Sequence, residues 1–275
     1  MKNKSPTYIN WRETWSKMRR ERIRPLRITY DKDFGTHFLA DEFAKNQVND
    51  YEYGKKAVKR LAGLLSSHSE VLEIGGGLGT LTIPLAEAVK TLKTIEISPK
   101  RTAILKKELK NKQIYNVEVI ESDWMKYEIK RKFDLVVCSH FLWQIENLEL
   151  HLEKMENASK KFCAIIQPSG RDAVVRKVYE TIVSHPYQGQ FEPDTDIFPY
   201  IILRHKGRLL SNNIIEYAIK RSQPQLVRYV ASFIGKYTEV DKKIGNIIAD
   251  FVKKYLQNNF HIEYCKAVVM WWRVD

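Results

Sequence analysis

The sequence predicts a three-layer α/β fold on a mainly parallel sheet, and three observations predict it. The first is Val71-Leu72-Glu73-Ile74, an apolar run followed by Gly75, Gly77 and Gly79 at alternate positions, which describes a buried strand turning tightly into a helix. The second is the spacing beyond it: a helical segment, Leu81 to Lys90, leads into an apolar strand, Leu92 to Ile97, in which Glu96 lies seventeen residues after Gly79. The third is the recurrence of such runs at Val117 to Trp124 and Phe133 to His140, the latter apolar enough for a strand covered on both faces.

Each element has its own warrant. Glycines at 75, 77 and 79 allow positive φ and let a ligand approach where a Cβ would collide, and an acid about 20 residues past such a turn can accept hydrogen bonds from both hydroxyls of a ribose. The dehydrogenase fingerprint G-x-G-x-x-G spaces its glycines differently, which sets an NAD reading aside. Downstream, Asn147 to Ser159 reads as a helix and Phe162 to Pro168 as a fifth strand. About ninety residues then precede the last strands, expected as a hairpin-like pair, His261 to Lys266 and Ala267 to Val274. That interval reads as a helix near Ala173 to Ser184, a loop from His185 to Pro199, an apolar segment Tyr200 to Leu203, and helices starting near Asn213 and Asp241. The expected organisation is a basic-aromatic helical leader over 1–54, an α/β core over 55–170, a helical cap over 171–259 and the final core strands over 260–275.

The run Glu73-x-Gly75-x-Gly77-x-Gly79, with Glu96 after strand two and Asp123-Trp124 after strand three, resembles the class I S-adenosylmethionine-dependent methyltransferases, motif by motif over roughly residues 55 to 170. The resemblance implies a Rossmann-like methyltransferase fold with a seven-stranded sheet. It also implies S-adenosyl-L-methionine as cofactor, with S-adenosyl-L-homocysteine as product. By that resemblance Glu73 and the glycine turn hold the methionine end, Glu96 the ribose and Asp123 the adenine amino group, with Trp124 and Ile97 beside the base and Ser139 at the strand-four end of the same site. The stretch after strand five, including Phe198-Pro199-Tyr200-Ile201-Ile202-Leu203, resembles the cap of a group of small-molecule-type members, in which counterparts of Leu152-Glu153-Lys154-Met155, Asp123-Trp124 and Trp271-Trp272 recur.

Charge supplies the rival reading. The chain carries a net charge of +13, of which +7 lies in residues 1–30, where nine Lys or Arg face only Glu13 and Glu21. A basic leader suits an RNA partner, and Phe34 to Asp41 resembles the lead-in of the rRNA adenine dimethylases. Those enzymes carry an Asn-Leu-Pro-Tyr type motif after strand four, whereas this chain reads Ser139-His140-Phe141-Leu142-Trp143-Gln144. Trp11, Trp15 and Met18 fall at helical spacing among the leader's charges, so the leader reads as an amphipathic helix ended by Pro25, packing on the core or closing over a substrate.

Chemistry at the mouth of the site narrows to a few groups. His140 is the first candidate for a proton acceptor because imidazole titrates near neutrality, and His37 in the leader is the second. His185, His205, Tyr200 and Tyr30 follow. No histidine pair has ligand spacing on one segment, so no metal is expected. Cys138, Cys163 and Cys265 share no metal-like spacing and read as buried free thiols of a reducing compartment. No apolar run approaches the length of a membrane span and no secretory core follows Met1, so the expected location is cytoplasmic, as monomer or homodimer. The sequence thus points to methyl transfer onto a small acceptor under the cap, with the leader's arginines available for a carboxylate or phosphate. RNA methylation, and a catalytically silent cofactor-binding protein acting through partners, stand as alternatives.

Overall fold

The computed structural model describes residues 9–24, 26–27, 49–169, 173–183 and 196–274. Helix α1 (Trp11–Ile23) is followed by α2 (Glu52–Leu61), then by alternating strands and helices: β1 (Glu70–Ile74), α3 (Thr82–Ala86), β2 (Thr91–Glu96), α4 (Pro99–Asn111), β3 (Val117–Glu121), β4 (Phe133–Ser139), α5 (Leu148–Ala158) and β5 (Ser159–Ser169). Beyond these come α6 (Ala173–Ile182), α7 (Ile197–His205), β6 (Leu210–Ser222), α8 (Gln223–Ile234), α9 (Lys242–Lys253) and β7 (Phe260–Arg273). The seven strands form one sheet in the order β3-β2-β1-β4-β5-β7-β6. All neighbours run parallel except β7, which is antiparallel to both β5 and β6.

The strand order reverses between β1 and β4, and that reversal opens a crevice at the carboxyl ends of the strands. Register keeps those ends level, since Ile74 lies beside Ile95 on one side and Cys138 on the other. The central strands are apolar because helices cover both faces. Leu72, Ile74, Val136 and Cys138 pack into one hydrophobic cluster with α5 and α7, while Val71, Leu135 and Val137 pack into another with α2 and α3. Helix α4 starts where a sequence reader would start it, with the Ser98 hydroxyl accepting from the Arg101 N–H and Pro99 in the first turn.

Two elements differ from the sequence expectation. Residues near Asn213 form a strand, not a helix: Ile215, Tyr217, Ile219 and Arg221 are buried while Glu216 and Lys220 are exposed, an alternation of period two. The tail is a single 14-residue strand, β7, paired along its length with β6, not a two-strand hairpin. The interval 171–259 is therefore two helical excursions separated by a core strand. Helices α6, α8 and α9 share a hydrophobic cluster of their own, built on Val178, Tyr179, Val230, Ile234, Ile248 and Val252. Helix α7 belongs instead to the main core through Phe198, Ile202 and Leu203.

Strand β6 is the sheet edge, and α2 with the turn before it dresses that edge. Glu52 accepts from the Ala218 N–H, Asn49 accepts from the Lys220 N–H, and Lys56 donates to the Glu216 carbonyl. Backbone groups that could otherwise template another strand are thereby satisfied. The leader is anchored through its tryptophans. Trp15 is 1% exposed, donates its indole N–H to the Ile145 carbonyl at 3.1 Å and stacks on Trp143, while Trp11 meets Phe198 edge-on. Met18, expected on the apolar face, is 44% exposed; the buried stripe of α1 is narrower than its spacing implied. Helix α1 ends at Ile23, and Pro25 lies outside the described residues.

Helix α2 also sets the back of the glycine turn. A Cβ on Gly54 would stand 2.0 Å from the Thr80 carbonyl oxygen, so α2 rests directly on the backbone of the turn. Gly54→Ala is expected to cost about 2 kcal/mol or more and to lower the melting temperature by on the order of 5 °C, measured by thermal denaturation.

Candidate active site

One cavity of about 720 Å³ occupies the crevice at the carboxyl ends of the strands and continues beneath α8. Its core half is walled by the loops after β1, β2, β3 and β4. Gly75, Gly77 and Gly79 all have positive φ, at 80°, 55° and 86°, as a tight strand-to-helix turn requires. Between them, Gly76 leaves no room for a side chain, since its Cβ would fall 2.3 Å from the Thr94 hydroxyl. The turn therefore presents bare backbone to the cavity.

The acid after β2 holds this turn in place. One carboxylate oxygen of Glu96 accepts from the Gly77 N–H and the other from the Ser98 N–H, both at 2.9 Å. The residue is 6% exposed and lines the cavity, so its remaining lone pairs face a ligand. Glu73 is buried at 1% exposure and takes a 2.6 Å hydrogen bond from the Thr82 hydroxyl. Burial pushes its carboxyl up to about 7, against the opposing effect of the Thr82 hydroxyl and with a smaller push from Glu96.

Asp123 follows β3 with one carboxylate oxygen accepting from the Met125 N–H at 2.8 Å. Ile97 and Trp124 flank it on the cavity wall, and Trp124 is buried in the core as well, at 3% exposure. At the end of β4, His140 is exposed and holds a left-handed backbone, φ 53°, uncommon outside glycine and asparagine. Its ring packs edge-on against Tyr53, whose hydroxyl is hydrogen-bonded to Ser139 at 2.6 Å. Burial raises the Tyr53 phenol well above its ordinary range, so it stays protonated.

Nine of the residues expected from sequence thus line one cavity: Glu73, Gly75, Gly77, Glu96, Ile97, Asp123, Trp124, Ser139 and His140. Gly79 is not on that wall; it turns the chain where a Cβ would press on Leu105 and Ile83. His37 lies outside the described residues, as do His185 and Tyr30. Cys138 and Cys163 are buried free thiols raised in pKa by burial, while Cys265 is only half-buried and lines the cavity. Among the described residues no cluster of three or more His, Cys, Asp or Glu could hold a metal, and no helix is long and apolar enough to cross a membrane.

Apart from the leader's arginines, the outer half of the cavity is built from residues that sequence reasoning did not single out. Tyr217 and Arg221 on β6, Glu263 on β7 and Tyr229 and Phe233 on α8 line it, with Arg19 and Arg22 contributed by α1. Arg221 and Glu263 form a buried ion pair at 2.5 Å, and the guanidinium lies 3.7 Å from the Tyr229 ring centre. The alternation from Ile215 to Arg221 was the available signal. From the leader side, the Arg27 N–H donates to the Lys236 carbonyl at 2.7 Å, joining the chain after α1 to the loop after α8.

Residues 71–170 match the family model described as a methyltransferase domain. This stretch is a methyltransferase domain, and it holds the motifs that resemble the class I S-adenosylmethionine-dependent enzymes. Solved methyltransferase structures share the fold. The plantazolicin methyltransferase BamL, solved with a triazolic desmethylPZN analogue and SAH, superposes at TM-score 0.54 with 12% identity, over 96% of this chain and 99% of that one. The magnesium protoporphyrin IX methyltransferase ChlM of Synechocystis PCC 6803, solved with SAH, gives TM-score 0.51 with 14% identity over 84% of this chain and 85% of that one. At such identities the likeness is one of fold.

Curated relatives match part of the chain in sequence. The probable ribosomal RNA small subunit methyltransferase A of Methanosphaera stadtmanae is 37% identical over 83 residues, 30% of this chain and 30% of that protein. Its counterpart in Methanothermobacter thermautotrophicus is 32% identical over 128 residues, 46% of this chain and 41% of that protein. The chain spans less than half the length of these relatives.

The site fits the cofactor S-adenosyl-L-methionine on its own geometry: a side-chain-free cradle, a buried carboxylate on the cavity wall and an acid beside an apolar wall. A pH prediction follows from Glu73. The folded protein holds this proton more tightly than the unfolded chain, so the associated stability is complete below the ordinary value of 4.5 and is lost as pH rises through about 7. Thermal melts from pH 4.5 to 8 are expected to show the wild type losing stability relative to Glu73→Gln across that window.

Proposed function

We propose that this protein transfers the methyl group of S-adenosyl-L-methionine to a small acceptor enclosed between the sheet and the helices that follow β5 and β6. The observation that carries this reading is the continuity of the cavity, which runs as one partly open chamber from the glycine turn to the aromatic and ion-paired wall of β6, β7 and α8. Its volume lies within the range of small-molecule sites, about 300–1,000 Å³.

In this reading Glu96 accepts both ribose hydroxyls, the backbone of residues 75–77 receives the methionine end with Glu73 behind it, and Asp123 accepts from the adenine amino group between Ile97 and Trp124. The cofactor, when bound, supplies an electrophilic methyl on a sulfonium, which needs an aligned nucleophile and a dry site. His140 stands between the two halves of the cavity and takes the proton of the acceptor; its packing against Tyr53 fixes the ring. Helix α1, with Arg19 and Arg22 on the cavity wall, closes one side and favours an acceptor that carries negative charge.

A second reading, methylation of RNA, is favoured by the ribosomal RNA methyltransferase relatives and the basic leader. Against it stands Ser139-His140-Phe141-Leu142 where those enzymes place their base-holding motif. The two readings part on salt. RNA binding whose affinity falls steeply with ionic strength would favour the second, whereas turnover on a small-molecule extract without RNA would favour the first.

Glu96→Ala is expected to weaken S-adenosyl-L-homocysteine binding by at least about 10-fold in calorimetry, the worth of one or two charge-assisted hydrogen bonds. Unchanged affinity would remove Glu96 from the ribose. His140→Ala is expected to lower turnover by about 100-fold or more with cofactor affinity unchanged, and wild-type turnover would exclude it as the proton acceptor.

A further inference from the structure

The turn that carries Asp123 and Trp124 is gripped from below by one helix. Residues 123–127 fold back on themselves, with the Lys126 and Tyr127 N–H groups both donating to the Asp123 carbonyl. This leaves the carbonyls of Trp124, Met125 and Tyr127 converging on a single point, and Lys154 of α5 occupies it. Its ammonium donates to all three, at 2.7, 3.0 and 2.6 Å, and lies 4.7 Å from the Trp124 ring centre. An ammonium has three protons, and each is matched to one of these carbonyls.

One turn earlier on the same face of α5, the fully buried His151 accepts at Nδ1 from the Trp124 indole N–H at 3.0 Å. That bond assigns the His151 proton to Nε2, which faces the Cys138 sulfur at 3.8 Å. Burial lowers the His151 pKa to about 3, so the ring is neutral and Nδ1 remains an acceptor at any working pH. Neither His151 nor Lys154 reaches the cavity, whereas Asp123, Trp124 and Met125 do.

We infer that Lys154 and His151 are positioning residues that set the purine preference of the cofactor site, by holding the Asp123 carboxylate and the Trp124 ring at fixed height beside the base. The inference rests on the assignment of this corner to adenine made above. A buried indole N–H and three inward carbonyls need partners wherever they sit, but here satisfying them also fixes Asp123, an acid on the cavity wall next to Trp124. An exocyclic amino group donates to such a carboxylate, whereas a ring carbonyl in its place would repel it.

The test compares two probes by calorimetry on the full chain: S-adenosyl-L-homocysteine and its deaminated inosine analogue. The wild type is expected to prefer the adenine probe by about 10- to 100-fold. Lys154→Met and His151→Ala are expected to shrink that ratio to within about threefold of unity, and His151→Gln, which keeps a carbonyl acceptor for Trp124, to restore it. Trp124→Phe, which keeps the ring and removes the N–H, reports on the His151 contact should either of the first two variants fail to fold. A purely architectural role would weaken both probes equally, so an unchanged ratio in the folded variants overturns the inference. So does a wild type that binds both probes alike. A wild type that binds neither probe would instead overturn the cofactor assignment itself.

Discussion

Three loops of the cofactor half meet at Glu96, and the site depends on that meeting. Its carboxylate takes the N–H groups of Gly77 and Ser98, while its own carbonyl accepts from the Ser122 N–H at 3.0 Å. The turns after β1, β2 and β3 are thereby pinned to one residue. A buried carboxylate is costly unless hydrogen-bonded, and here the bonds that satisfy it are the ones that shape the cavity. Desolvation and site geometry are solved by the same contacts.

Much of this half was legible in the chain because strand, turn and acid occur in strict order. Alternate glycines between apolar runs admit few backbone paths, and the structure gives Gly75, Gly77 and Gly79 the positive φ that such a path demands. Strands β1, β4 and much of β5 carry apolar runs buried on both faces and stand out from their surroundings, so their limits were close to those observed. The buried partners of the site were less visible. His151 and Lys154 sit in an ordinary amphipathic helix, and nothing in their spacing says that they point at a turn 30 residues away.

The far half was harder to read for a different reason. Strand β6 is an edge strand with one face against α2 and the cavity and the other toward solvent, so its apolar residues alternate with Glu216 and Lys220 and resemble a short amphipathic helix to a reader expecting one. Its pairing with β7 is entirely non-local, and long β7 carries no turn residue at its midpoint to betray that it is one strand. Tyr217, Arg221 and Glu263 reach the cavity only because that pairing places them there. Exposure of Met18 has a similar origin: the apolar grip on α1 comes from Trp11 and Trp15, and the tertiary surface it meets is narrower than a full helix face.

Helices α6, α8 and α9 pack around a hydrophobic cluster separate from the two beneath the sheet. Two hydrophobic interiors share a single chamber, one lying behind the wall of Ile95 and Trp124 and the other behind the wall of Tyr229 and Phe233. Substitutions that reshape the second interior need not be felt by the first. Such a division lets lineages diverge in what they modify while the donor half stays constant, because selection can act on one interior without disturbing the other.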